Sequence, residues 1–131
     1  AWLAALGALP PEADLMLESW RLAHGSRAPF DEPFWKELFA RTRDDLPAGE
    51  LHRQACLRSR DLDLLPLLPR MTVPAQFIAG SEDPIFPVGH AEAAACAAHG
   101  THVTIDGMGH ALGPAHFATI ATAVKAFLSL S

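Results

Sequence analysis

The stretch VPAQFIAGSEDPIFPVGHAEAAACAAHGTHVTIDGMGH, residues 73–110, decides the fold of this chain. It opens with a short apolar run at 75–79, which is followed by the acidic turn Ser81–Pro84. An alanine-rich helical pattern then leads to a second apolar run at 102–105 and to the loop Gly107–His110. Short apolar runs that are bounded by turn residues and separated by a helix are typical of parallel strands. The pattern therefore predicts strand, acidic loop, helix, strand and histidine loop.

Parallel strands that are joined by a helix have their carboxyl ends at the same edge of a sheet. The acidic loop and the histidine loop should therefore lie next to each other. A parallel sheet is normally covered on both faces, and two strands alone do not make a stable sheet. We therefore predict an α/β fold of parallel strands with flanking helices, together with partner strands that this sequence does not contain.

A final helix is predicted after Gly113-Pro114, because proline fits the first turn of a helix. Its apolar side chains recur at helical spacing, so we expect them to face the core. The members of this stripe are Phe117, Ile120, Val124, Phe127 and Leu128. Gly100 is predicted to end the preceding helix.

Composition narrows the class of protein. The chain has 131 residues, of which 50% are hydrophobic, so one domain with a modest core is expected. Its net charge of -5 argues against a nucleic-acid partner. No apolar run approaches the roughly 20 residues of a membrane span, and no signal peptide is visible. Cys56 and Cys96 have no metal-ligand spacing and are interpreted as free thiols in a reducing cytoplasm.

The first part of the chain is predicted to be helical, which divides the sequence into a helical segment, 1–68, and a β-α-β-α segment, 69–131. Pro10 and Pro11 are expected to open one helix. The next helix should begin at Asp31 as N-cap, with Phe30 packed on Trp35. A third helix is expected at about 48–59. Four aromatic residues are interpreted mainly as core of this segment, with a place for one or two of them in the wall of an apolar pocket as the alternative: Trp20, Phe34, Trp35 and Phe39.

The residues of the second segment resemble the α/β-hydrolases. The resemblance lies in Val73-Pro74 with the strand that follows, in Gly80–Pro84, and in Gly107–His110 after the second strand. It extends to small ester-hydrolysing members of the aclacinomycin methylesterase type. The resemblance implies that Asp83 is the acid and His110 the base of a nucleophile–acid–histidine triad. It also implies that the helical segment is the back part of a cap over the substrate pocket, and that no cofactor is needed.

Elementary chemistry supports this pairing. A serine hydroxyl is a weak nucleophile until a base takes its proton, and histidine can do so near neutral pH. A carboxylate at the other ring nitrogen fixes the tautomer and stabilises the imidazolium that forms during the reaction. Taken without that context, Asp83 would be a turn residue and His110 an ordinary loop residue. Glu82 is ranked second as the acid, because it should point elsewhere.

The nucleophile of such a triad is absent from the sequence. No G-x-S-x-G motif occurs, and no serine has the flanking glycines and preceding strand that the motif needs. His24-Gly25 superficially resembles an oxyanion-hole turn, but it follows a helical pattern. We therefore expect the nucleophile, the oxyanion hole and the first strands to belong to an N-terminal half outside this chain.

Four apolar residues flank the proposed acid and base, and we predict that they form the wall of a pocket for a small apolar ester-like substrate. They are Ile85, Phe86, Met108 and Leu112. The remaining histidines are interpreted as solvent-exposed or helix-end residues: His90, His99, His102 and His116. No metal site is predicted, since His99 and His102 alone lack further ligands. An alternative function is a non-catalytic helical interaction module derived from a truncated hydrolase, whose apolar strands dock on a partner.

Overall fold

A computed structural model describes residues 2–43 and 65–129. In chain order its elements are α1 (Trp2–Gly7), α2 (Leu15–Leu22), α3 (Glu32–Arg43), a 3₁₀ helix (Leu65–Arg70), β1 (Gln76–Gly80), α4 (Val88–Ala97), β2 (Thr101–Ile105) and α5 (Pro114–Leu128). The described part is therefore mixed α/β. The helix expected at about 48–59 lies outside the described residues, and the division of the chain at residue 68 stays a prediction.

The predicted pair of parallel strands is confirmed. β1 and β2 pair in parallel, in a register that runs from Gln76 opposite Thr101 to Gly80 opposite Ile105. The amide of Ser81 continues the pairing by donating to the carbonyl of Ile105, at 3.0 Å. Both strands therefore end at the same edge of the sheet, so the acidic loop and the histidine loop begin side by side.

The turn between α4 and β2 differs from the expectation that Gly100 would supply the helix stop. α4 ends at Ala97, and the residue with positive φ is His99, at 52°. Gly100 is required for another reason, because a Cβ there would lie 2.5 Å from the carbonyl oxygen of Ala75. That close approach brings the chain back onto the sheet, where the amide of Thr101 donates to the same carbonyl.

The two longer helices of the first segment begin at aspartates. Asp31 caps α3 as predicted, since its Oδ1 accepts from the amide of Phe34 at 3.1 Å. The rings of Phe30 and Trp35 stack with centroids 6.1 Å apart, which confirms the predicted packing at this helix start. α2 instead begins at Leu15, where Asp14 accepts from the amides of the following turn.

The expectation that Pro10 and Pro11 open this helix is therefore wrong. Residues 10–13 form a turn, in which the amide of Ala13 donates to the carbonyl of Pro10 at 3.0 Å. A carboxylate at the N-cap satisfies two amides that would otherwise lack partners, whereas proline only removes one donor. The side chain of Asp14 therefore decides where the helix begins.

A buried hydrophobic cluster lies between α2, α3 and the loop that follows His110. Its buried members are Leu17, Ala23, Trp35 and Ala111. Partly buried residues surround them: Trp2, Trp20, Phe30, Phe34, Leu38, Phe39 and Ile85. α2 and α3 thus pack on the histidine loop, and this positions the candidate site at their junction.

The outer side of the molecule is less well covered. The apolar stripe of α5 was expected to face the core, but Phe117, Val124 and Leu128 are exposed. The physical reason is that a sheet of two strands is too narrow to cover a helix of 15 residues. Among the described residues, none of the helices is both long and apolar enough to cross a membrane.

Candidate active site

The acid loop holds the carboxylate of Asp83 in a defined position. Its Oδ1 accepts two hydrogen bonds, from the amides of Ile85 and Phe86, each at 2.8 Å. Only 8% of the Asp83 side chain is exposed. Because two amides occupy Oδ1, the second oxygen is the one that can accept from another group.

That second oxygen faces His110. Nδ1 of His110 lies 2.9 Å from Oδ2 of Asp83, so the predicted contact between these two side chains is confirmed. A carboxylate can only accept, so Nδ1 carries the proton and donates it to this bond. In the neutral ring Nε2 is then the free base, and it has no hydrogen-bond partner among the described residues.

Two aromatic rings flank the imidazole. Trp20 stacks on it with ring centroids 6.4 Å apart, and Phe86 contacts it at an angle with centroids 5.4 Å apart. The orientation of the ring is therefore set by the carboxylate at one edge and by aromatic contacts on its faces.

Glycines permit the sharp course of the histidine loop. Gly107 has φ 66°, which favours glycine. A Cβ at Gly109 would lie 2.1 Å from the carbonyl oxygen of Ala23, so no larger residue fits there. The loop is also connected to the acid loop by two hydrogen bonds. The backbone amide of Gly107 donates to Oγ of Ser81 at 2.8 Å, and the backbone amide of Glu82 donates to the carbonyl of Met108 at 3.0 Å.

Glu82 points away from His110, as expected. Its carboxylate accepts from the amide and the hydroxyl of Ser26, at 2.7 and 2.6 Å. Asp83 is therefore the carboxylate that contacts the imidazole, although both acids follow the same strand.

A cavity of about 470 Å³ opens beside the Asp83–His110 pair. Three of the four predicted wall residues line it: Phe86, Met108 and Leu112. The fourth, Ile85, instead lines a smaller cavity of about 220 Å³, which shares Trp20 and His110 with the first. The imidazole thus lies between two apolar spaces.

Trp20 and Trp35, for which the pocket was the alternative to the core, also line the larger cavity, whereas sequence reasoning missed Leu38, Ile78 and Ala91. Trp20, Trp35 and Leu38 come from the helical segment, whereas Ile78 and Ala91 come from β1 and α4. Trp35 and Leu38 are three residues apart on one face of α3, which is the only sequence signal that joins them. The other two aromatic residues of this set, Phe34 and Phe39, are half-buried and pack against the hydrophobic cluster.

A second pair of histidines is buried. His116, which was expected to be solvent-exposed or at a helix end, lies in the first turn of α5 and is buried there beside His24. His116 is 0% exposed and His24 is 3% exposed, with ring centroids 5.6 Å apart. Both nitrogens of His116, Nδ1 of His24 and Nε1 of Trp35 are buried without a hydrogen-bond partner among the described residues. Burial lowers the pKa of His116, because the charged ring is disfavoured there, and the charges of His24 and Arg27 lower it further.

Within 2–43 and 65–129, no group of three or more histidine, cysteine or acidic side chains is arranged to hold a metal ion. The chain matches no protein-family model, no curated protein and no solved structure. The geometry of the two loops and the cavity is therefore the basis for assigning a function.

Proposed function

We propose that this chain is the C-terminal part of an α/β-hydrolase that cleaves an ester or a related acyl substrate through a Ser-His-Asp triad. The serine belongs to a segment outside this chain. The observation that carries the proposal is the bond of 2.9 Å between Nδ1 of His110 and Oδ2 of Asp83, next to an apolar cavity. A carboxylate at Nδ1 together with an unpartnered Nε2 is the arrangement that general-base catalysis requires.

Each step of the proposed reaction uses this geometry. Nε2 of His110 takes the proton of the serine hydroxyl as its oxygen adds to the substrate carbonyl. The imidazolium then gives that proton to the leaving alcohol, and an acyl-enzyme remains. Water repeats the sequence and releases the acid. Asp83 stays ionised throughout, holding the tautomer and stabilising the positive ring.

The cavity supports a small, uncharged and largely apolar substrate. Its walls are aromatic and aliphatic, with Asp83 and His110 as its titratable side chains. The Asp83 carboxylate is already engaged by two amides and the imidazole, so it is not available to bind a cationic substrate. A volume of about 470 Å³ falls within the range of small-molecule sites.

Two observations support partner strands in the complete enzyme. The described sheet has two parallel strands, fewer than a stable parallel sheet requires. The exposed apolar side chains of α5 would be covered by a wider sheet. The reaction needs no cofactor, and the exposed free thiol of Cys96 suits the reducing cytoplasm that we include in the proposal.

The second candidate function is a non-catalytic interaction module. It is favoured by the same exposed stripe on α5, since Phe117 and Leu128 offer apolar area for a partner. The two functions differ in what happens when the missing segment is supplied, because only the enzyme gains turnover.

The test is to co-express this chain with the segment that is encoded immediately upstream of it. We expect that segment to contain a strand followed by G-x-S-x-G, and the pair to hydrolyse short aryl esters that residues 1–131 alone leave intact. Turnover by the isolated chain that is lost in Ser81→Ala would instead place the nucleophile inside this chain.

A further inference from the structure

The residues on both sides of His110 are held by a segment of the helical part, Ala23–Arg27, which we call the cap loop. The amide of Gly109 donates to the carbonyl of His24, and the amide of Ala111 donates to the carbonyl of Ala23, each at 3.0 Å. The donors of these two bonds are the residues immediately before and after His110. The backbone of the histidine is therefore set by the cap loop as well as by its own strand.

The other end of the cap loop continues this contact. The amide of Arg27 donates to the carbonyl of Gly107 at 2.9 Å, and its guanidinium donates to the carbonyl of Asp106 at 3.1 Å. The backbones approach so closely that a Cβ at Gly25 would lie 2.4 Å from the nitrogen of Gly109. Gly25 also has φ 84°, so glycine is needed there for two reasons.

The cap loop reaches the acid loop through one pair of residues, Ser26 and Glu82. Both bonds from Ser26 end on the Glu82 carboxylate, one from the amide and one from the hydroxyl. Charge-assisted bonds that engage both carboxylate oxygens fix geometry better than a single contact. Glu82 directly precedes Asp83, so a restraint on its side chain acts on the neighbouring backbone.

We propose that Ser26 and Glu82 are positioning residues for the Asp83–His110 pair. Their contact, which we call the clasp, connects the acid loop to the same cap loop that holds the histidine loop. The three loops then form a closed ring of hydrogen bonds, and the separation of carboxylate and imidazole depends on it. The catalytic meaning of this role rests on the proposed function, whereas the geometric role does not.

Solvent exposure sets the expected size of the effect. Ser26 and Glu82 are both exposed, and an isolated exposed pair contributes little to global stability. The clasp should therefore act locally, by limiting how far the acid loop moves from His110. A merely stabilising surface contact would instead change global unfolding without any selective effect at the pair.

The experiment is amide hydrogen exchange and proton NMR on the full chain, with the variants Ser26→Ala and Glu82→Gln. The amides of Ile85 and Phe86 report the carboxylate of Asp83, because they donate to it. The Nδ1 proton of His110 reports the bond to that carboxylate. Neither signal needs the missing nucleophile, so a failure of the clasp and a failure of the proposed function are distinguishable.

Ser129→Ala is the matched control, because Ser129 is exposed like Ser26 and its hydroxyl also makes one hydrogen bond. That bond goes to the backbone carbonyl of Ala126, at 2.8 Å, and not to either loop of the site. In both clasp variants we expect exchange at Ile85 and Phe86 to be about fivefold faster, the size of one lost hydrogen bond. The His110 signal should broaden, and thermal unfolding should change no more than in the control. Ser26→Thr, which keeps the hydroxyl, should restore wild-type exchange.

Unchanged exchange at both amides in both clasp variants would overturn the proposal. So would acceleration that is equal in Ser129→Ala, because the effect would then be general.

Discussion

Two histidine sites adjoin the cap loop, and their surroundings differ in kind. His110 has a carboxylate at Nδ1, aromatic contacts on its faces and 34% of its side chain exposed. His116 is 0% exposed and lies beside His24, and its two ring nitrogens have no hydrogen-bond partner among the described residues. The carboxylate beside the first ring can stabilise a positive charge on it during proton transfer, whereas burial disfavours the charged form of the second ring.

The difference teaches that the partner and the exposure of a histidine, and not its presence near a cavity, decide its chemistry. Burial lowers the pKa of His116, because the charged ring is disfavoured there, and a ring that is 0% exposed does not reach a substrate. The carboxylate beside the accessible ring of His110 can instead stabilise the imidazolium during proton transfer. The comparison predicts that the two sites respond to different perturbations.

The largest effect is expected from His110→Ala in the co-expressed assembly. Removal of the general base should lower kcat by a factor of order 10⁶, the loss seen for the histidine of a serine-protease triad. Steady-state hydrolysis of an aryl ester measures it. His102→Ala is the matched control, since His102 contacts only Glu92, at 3.7 Å on the surface, and its loss should leave the rate unchanged. Equal rates for wild type and His110→Ala would show that His110 is not the general base.

A smaller but still severe effect is expected from Asp83→Asn in the same assembly. The amide can donate to Nδ1 and so stabilise the wrong tautomer, which cost a factor of order 10⁴ in the serine-protease precedent. Glu82→Gln should be much milder, because Glu82 contacts Ser26 and not the imidazole. If Glu82→Gln were the more damaging change in kcat, the acid would have been assigned to the wrong residue.

The smallest effect concerns pH and stability at the buried pair. The folded state lowers the pKa of His116 below its unfolded value, so the unfolded chain binds more protons as the pH falls. The contribution of neutral His116 to the free energy of unfolding is fully present above the usual histidine pKa of about 6.5. It declines as the pH falls towards the lower pKa of the folded state. His116→Leu should reduce this decline, which we expect to be on the order of a few degrees in Tm. The same acid-induced decline in wild type and His116→Leu would show that other groups cause it.

Much of the sheet region could be predicted because its signals are local. Proline before β1, glycine at its end and an alanine-rich helix between two apolar runs all agree with one arrangement. That arrangement alone places Asp83 and His110 at one edge. The N-cap at Asp31 was predictable for the same reason, since an aspartate before an amphipathic stripe is a local pattern.

Other features depend on contacts between distant segments. The walls formed by Trp20 and Trp35 follow from how α2 and α3 pack on the histidine loop, which no periodicity encodes. His116 lies at a helix end, one of the two predicted settings, but its burial there follows from packing beside His24, which the local sequence does not encode. At Asp14 two local signals competed, and the capping carboxylate prevailed over the prolines.

The most direct test of the central claim is to locate the acyl group. The assembly is mixed with a short aryl ester for a single turnover, quenched with acid, and each chain is analysed by mass spectrometry. We expect the acyl group on a serine of the complementary segment, in wild type and in His102→Ala but not in His110→Ala. An acyl group on this chain, or acylation of the complementary segment at an equal rate without His110, would contradict the account.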